Sequence, residues 1–126
     1  MRQLTLKMQA IMPVIFWLSL IITTLLMLIE LASKQGGWPY WDKVQHAVLF
    51  ASLSLIGFIS FKHKFTWVYI GLAIYGALIE YLQGALTITR LASIGDWWAD
   101  ILGIVIAIFL WLIVKKHRLK YSAASI

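Results

Sequence analysis

The sequence contains no cysteine, which excludes disulfides, cysteine-based zinc sites and thiol catalysis. Charge is also scarce. Charged residues make up 13% of the 126 positions, and only five of them are acidic, whereas a soluble domain carries about a quarter charged residues. Internal repeats and low-complexity tracts are missing, as is the apolar–polar alternation of an outer-membrane barrel strand. Hydrocarbon fills the chain instead: 62% of residues are apolar and the mean hydropathy is +0.87. That composition excludes both a water-soluble globule and a disordered chain. At this length a single membrane domain over residues 1–126 is expected, with no room for a separate catalytic module.

A helical span needs roughly 20 predominantly apolar residues to cross a hydrocarbon layer about 30 Å thick. Four stretches meet or approach that length: Met8 to Ala32, Val44 to Phe61, Phe65 to Leu86 and Trp97 to Val114. Helices satisfy their backbone polar groups internally, as lipid requires. The expected fold is therefore all-α, four transmembrane helices in a compact bundle, with the Gly36-Gly37-Trp38-Pro39 stretch breaking the chain between the first two. A cleaved signal peptide, with Arg2 and Lys7 as its basic start and Leu31-Ala32-Ser33 near its end, is the alternative for the first segment. Its apolar run exceeds the roughly 7 to 15 residues of a signal sequence, so a retained helix is expected.

Short loops set orientation through their Lys and Arg content. With the N-terminus cytoplasmic, the inner side carries Arg2, Lys7, Lys62, Lys64, Lys115, Lys116, Arg118 and Lys120, against Lys34, Lys43 and Arg90 outside. Both termini are expected in the cytoplasm. Trp38, Tyr40, Trp41, Trp97 and Trp98 gather at the outer boundary, with Trp67 and Trp111 near the inner one, as interfacial anchors do. The basic residues are accounted for by topology, so the high pI does not imply a nucleic-acid partner; the bilayer is the expected one.

The acids are less easily explained. Glu30, Asp42, Glu80, Asp96 and Asp100 all fall on the outer half, and the charge rule for loops says little about acids. Asp42 and His46 are spaced i, i+4 and share a helix face, as do Asp96 and Asp100, with Gly103 following. Glu80 and Gln83 are spaced i, i+3, and Glu80 lies roughly 10 Å inside the outer end of its helix. Asp42 and Asp96 are placed to cap the second and fourth helices. A carboxylate inside a span costs about 2.5 to 3.5 kcal/mol, so Glu80, Asp100 and His46 should face the bundle interior and pair with Lys43, Arg90 or one another. Ala73, Gly76 and Ala77 on one helix and Gly103 and Ala107 on another permit close approach. Three helices and one loop are thus expected to converge on a polar pocket opening outward. A plainer account remains open, with Asp42 and Asp96 as caps, His46 as a satisfied core histidine, and Lys43 and Arg90 as charge partners. Glu30 and Lys34 read as a surface pair.

These motifs, D-K-x-x-H at Asp42–His46, E-x-x-Q at Glu80–Gln83 and R-x-x-S-x-x-D at Arg90–Asp96, followed by Asp100-Ile101-Leu102-Gly103, resemble the VanZ-like family of small bacterial membrane proteins. The resemblance covers residues 38–114, with the first helix matching by hydropathy alone. At position 100, where the family pattern often has asparagine, this chain has Asp100. The family's eponym is associated with resistance to teicoplanin-type glycopeptides, which implies a bacterial cytoplasmic-membrane protein with an extracytoplasmic site near the cell-envelope machinery.

Three functions fit. The first is a pocket binding an envelope lipid, a lipid-linked cell-wall precursor or an amphiphilic antibiotic, lined by Asp42, Lys43, His46, Glu80, Gln83, Arg90, Ser93, Asp96 and Asp100. Lys43 and Arg90 would meet an anionic headgroup. The second is a membrane-embedded hydrolase or transferase acting on a phospholipid or isoprenoid phosphate, with His46, Glu80 and Asp96 as catalytic candidates and Ser93 as a conceivable nucleophile. The third is a small proton-linked transporter. No spacing matches a recognised metal motif, and Lys43 and Arg90 would oppose a cation, so neither metal nor other cofactor is expected.

Overall fold

A computed structural model of the chain describes residues 2–29, 38–88 and 91–124, with side chains described for 6–29, 38–88 and 91–123. Its described residues form four helices: α1 (Arg2–Leu28), α2 (Trp41–Ser60), α3 (Phe65–Leu86) and α4 (Ile94–Ala124). All four are long and apolar enough to cross a membrane. The protein is an all-helical, multi-pass membrane protein.

α3 keeps its hydropathy limits, α1, α2 and α4 start before theirs, and α1 and α2 stop at Leu28 and Ser60, short of Ala32 and Phe61. α4 runs ten residues past Val114, through Lys115, Lys116, Arg118 and Lys120, because lysine and arginine are good helix formers and need not leave the helix to meet water. α2 starts at Trp41 rather than Val44, right after a turn in which the Trp41 N–H donates to the Trp38 carbonyl at 3.0 Å. Asp42 therefore lies inside the first turn. It is not the cap: that position belongs to Tyr40, whose side chain makes no capping bond. The expected Glu30–Lys34 pair lies outside the described residues, as does Arg90.

Side-chain links fix the topology. Ser60 Oγ donates to the Met12 carbonyl at 2.8 Å, so α1 runs antiparallel to α2. Gln83 Nε2 donates to the Met27 carbonyl at 2.8 Å and Tyr75 meets Thr24 at 2.7 Å, so α1 runs parallel to α3. α2 and α4 are parallel: Lys43 meets Asp96, His46 meets Asp100, and Phe58 meets Trp111 with ring centroids 6.0 Å apart. The helices go up, down, up, down, and the start of α1 and the end of α4 lie at one end with the tight α2–α3 turn. Among the described residues α1 packs on α2 and α3 and does not reach α4.

Apolar surface faces outward. Only 17–33% of each span is buried, so most of every helix is left for lipid, including Trp17, Ile22 and Leu25 on α1 and Val105 and Phe109 on α4. The interior is a narrow column of Phe16, Phe50, Leu53, Phe58, Leu72, Ile79, Ile104 and Ala107. Because lipid is as apolar as this column, close packing rather than exclusion of water holds the helices together. Packing is tightest where α4 crosses α2. A Cβ on Gly103 would overlap the Ala47 carbonyl oxygen and come within 3.0 Å of the Ala51 nitrogen, and backbone cannot move aside as a flexible side chain can.

Gly103→Val should therefore destabilise the bundle by at least about 1–3 kcal/mol, the usual range for overpacking. Gly71, where an added Cβ meets nothing within 4 Å, is the contrast: Gly71→Ala should be neutral or stabilising by up to about 1 kcal/mol through helix propensity. Thermal unfolding of both variants in one detergent checks the pair.

Candidate functional site

At the end of the bundle away from the termini, polar groups from α2, α3, α4 and the α3–α4 connection meet. His46, buried with 2% of its surface exposed, lies one turn inside α2 and Asp100, at 0%, lies on α4. Their link is Nδ1 to Oδ1 at 2.9 Å. When Asp100 is ionised its carboxylate only accepts, and the ring then donates its Nδ1–H to it. Glu80 enters from α3, with Oε1 3.6 Å from the same Nδ1 and Oε2 accepting the Ser93 backbone N–H at 3.0 Å. Glu80 lies six residues inside Leu86, the last residue of α3, about 9 Å along the helix.

Close approach of α3 depends on Gly76, where a Cβ would come within 2.9 Å of Asp100 Oδ2 and 3.2 Å of the Phe50 ring. Phe50 also stacks on Tyr75 at a centroid separation of 5.7 Å. These two rings floor the polar cluster and part it from the apolar column beneath.

Nearer the rim, Lys43 Nζ donates to Asp96 Oδ1 at 2.6 Å, with 42% of the lysine side chain exposed against 11% of the aspartate. The lysine lies across the first turn of α4, where a Cβ on Gly95 would sit 3.2 Å from Nζ. A cation is unfavourable at a helix N-terminus, and Asp96 in that same turn offsets it.

The start of α4 corrects a second expectation. Asp96 does not cap this helix; Ser93 does, its Oγ accepting the Asp96 N–H at 3.2 Å. Ser93-Ile94-Gly95-Asp96 has capping-box spacing, in which the third residue normally reaches back to the N–H of the serine. Here Glu80 takes that N–H, and the Asp96 carboxylate is released to Lys43. The S-x-x-D signal was present in the sequence. Its meaning as a cap rather than a nucleophile depends on where Asp96 goes.

Gln83 also differs from expectation. It is buried, and its amide donates to the Met27 carbonyl of α1, which clamps the two helices together. Trp97 is half-buried, and its indole N–H donates to the Ala73 carbonyl of α3 at 3.0 Å, a link between α4 and α3. Ala77, expected among the small residues at the helix contact, is exposed. Asp42 is half-buried at the rim, and one carboxylate oxygen, a His46 ring nitrogen and an Asp96 oxygen lie within 4.8 Å of one another. The structure thus brings together Asp42, Lys43, His46, Glu80, Ser93, Asp96 and Asp100, ties the Gln83 amide to α1, and leaves Arg90 outside the described residues.

Hydrogen bonding in the cluster is incomplete. Among the described residues, His46 Nε2, Glu80 Oε1 and Asp100 Oδ2 are buried without a partner. Buried polar atoms are nearly always paired, and each exception asks for an explanation. Chemically the cluster offers a base at Nε2 oriented by a carboxylate, two carboxylate oxygens lacking donors, and one cation at the rim. Comparison of the chain with family models, with curated proteins and with solved structures finds no match.

The rim pair is asymmetric. Removing Lys43 leaves a buried carboxylate uncompensated, while removing the charge of Asp96 leaves a lysine with access to water. Lys43→Met should cost about 1–3 kcal/mol, and Asp96→Asn should cost less, about 1 kcal/mol or below, as exposed pairs do. Melting curves of the two variants under one set of conditions test that order.

Proposed function

We propose that this chain is a VanZ-like protein of the bacterial cytoplasmic membrane, with both termini in the cytoplasm. In this reading its polar end faces outward and binds the head of an envelope lipid or lipid-linked cell-wall precursor. Orientation is supported by the basic residues Lys7, Lys62, Lys64, Lys115, Lys116, Arg118 and Lys120, which share the end that carries the termini, as cytoplasmic flanks do. The family resemblance adds altered sensitivity to a glycopeptide-type antibiotic as the cellular consequence of occupying the site.

One observation carries the reading: a half-exposed cation, Lys43, stands over buried acceptors that lack donors. A headgroup with an anionic phosphate and neighbouring hydroxyl or ammonium donors complements both, the phosphate at Lys43 and the donors toward Glu80 and His46. Placing such charges within a span is costly, and intramembrane ionisable groups that persist mark functional sites.

A membrane-embedded hydrolase or transferase acting on a phospholipid or isoprenoid phosphate is the second reading, favoured by the His46–Asp100 link. Nδ1–H held by a carboxylate leaves Nε2 as the base, the arrangement by which a histidine takes a proton from an attacking hydroxyl or water. Ser93 Oγ accepts a backbone N–H at the helix start, so water suits that role better than Ser93.

Titration of the purified protein in nanodiscs with an isoprenoid phosphate distinguishes the two. The binding reading expects saturable binding without release of inorganic phosphate, weakened about 10- to 100-fold in Lys43→Met by loss of a charge-assisted contact. Phosphate release that disappears in His46→Gln would transfer the conclusion to the enzyme. Absence of saturable binding by the wild-type protein would end the first reading.

A further inference from the structure

We propose that His46, Glu80 and Asp100 form a binding site for a divalent transition-metal ion such as Zn2+, held between α2, α3 and α4 at the polar end of the bundle. The inference goes beyond the lipid reading and shares His46 and Glu80 with it: an ion on the triad would occupy acceptors assigned there to headgroup donors and leave Lys43 to the phosphate. One donor atom from each of these three residues lies within 4.8 Å of the other two, and all three residues are at least nine-tenths buried.

Spacing within the triad suits an ion. A tetrahedral metal about 2.0–2.2 Å from each of its nitrogen and oxygen ligands holds neighbouring ligands about 3.3–3.6 Å apart. The measured separations from His46 Nδ1 are 2.9 Å to Asp100 Oδ1 and 3.6 Å to Glu80 Oε1, so small side-chain adjustments close the set. The ion would replace the proton on Nδ1.

Charge points the same way. Among the described residues, two carboxylates share this space with one imidazole, and the nearest cation, Lys43, is engaged by Asp96 at 2.6 Å. A protonated imidazole would still leave one negative charge in excess, in surroundings where unpaired charge is expensive. A divalent cation with two carboxylates and a neutral imidazole brings the cluster to zero. It would also engage Glu80 Oε1, which has no hydrogen-bond partner among the described residues. The other nearby group, Asp42, His46 and Asp96, already contains the lysine ammonium and is the poorer site.

Donor chemistry narrows the ion. An imidazole favours transition metals over Mg2+ and Ca2+, and with no thiolate in the chain the set is a nitrogen–oxygen one. Three protein ligands also leave a coordination position for water or a ligand oxygen, as open zinc sites do.

The test uses the full-length protein in detergent, stripped with EDTA and then given Zn2+ alone. Bound metal is measured after gel filtration, with thermal unfolding recorded in parallel. The surface histidines His63 and His117, both exposed, are replaced by asparagine in every sample to remove adventitious binding. We expect one Zn2+ per chain and a raised unfolding temperature. Glu80→Gln and Asp100→Asn keep side-chain shape, and each should weaken binding more than about 100-fold, since outer-shell changes alone cost 10- to 100-fold. Helical circular dichroism and a monodisperse elution profile of the stripped variants separate lost ligands from lost fold. No Zn2+ uptake by the parent protein, or uptake unchanged in both folded variants, would overturn the assignment and leave the triad a proton-bridged structural pair.

Discussion

The crossing of α4 over α2 at Gly103 is the contact on which the rest of the structure depends. With no side chain at that position, the α4 backbone lies against Ala47 and Ala51. The register of that contact then determines which polar residues face one another. His46 directly precedes Ala47, and Asp100 lies three residues before Gly103. Helices running parallel at that distance bring His46 onto Asp100 at 2.9 Å and, one turn outward, Lys43 onto Asp96 at 2.6 Å. A change of one residue in register would aim these side chains elsewhere on the helix surface, some of them at lipid.

Solvent explains why the polar cluster sits where it does. In a bilayer the apolar outer faces cost nothing, and the expense falls on the ionisable groups. The structure limits that expense by placing Lys43, Asp42 and Asp96 at the rim and only Glu80, His46 and Asp100 further in. The buried three obtain some compensation from one another and from the Ser93 N–H. His46 Nε2, Glu80 Oε1 and Asp100 Oδ2 stay without hydrogen-bond partners among the described residues. Beneath them Phe50 and Tyr75 close off the apolar column, and the Tyr75 hydroxyl turns away to Thr24 of α1.

Several site residues were legible from spacing alone. Asp42 with His46, and Asp96 with Asp100, sit at helical intervals that force each pair onto one face, and an acid as deep as Glu80 is stable only if turned inward. Roles were harder to read, because they depend on competition between partners on different helices. By spacing alone Ser93 fits a nucleophile or a cap, and only the structure places the Asp96 N–H on its hydroxyl. Asp96 resembled a cap until Lys43 claimed its carboxylate. Gln83 shares a face with Glu80, yet α1 offers it the Met27 carbonyl, and nothing in the local sequence announces that acceptor. The triad of His46, Glu80 and Asp100 had no metal-like spacing, since each donor comes from a different helix.

Composition and periodicity by themselves determined that this is a helical membrane protein with four spans, because burial in hydrocarbon is a property of each segment taken separately. They also determined that Asp42, Glu80, Asp96 and Asp100 gather at one end, since that follows from position along each helix. Only the tertiary structure decided which acid meets which base, which serine caps a helix and which polar atoms are left without partners. Those outcomes hang on inter-helix register and on approach distances of a few tenths of an ångström, set at Gly76 and Gly103, and a one-dimensional pattern carries no such information.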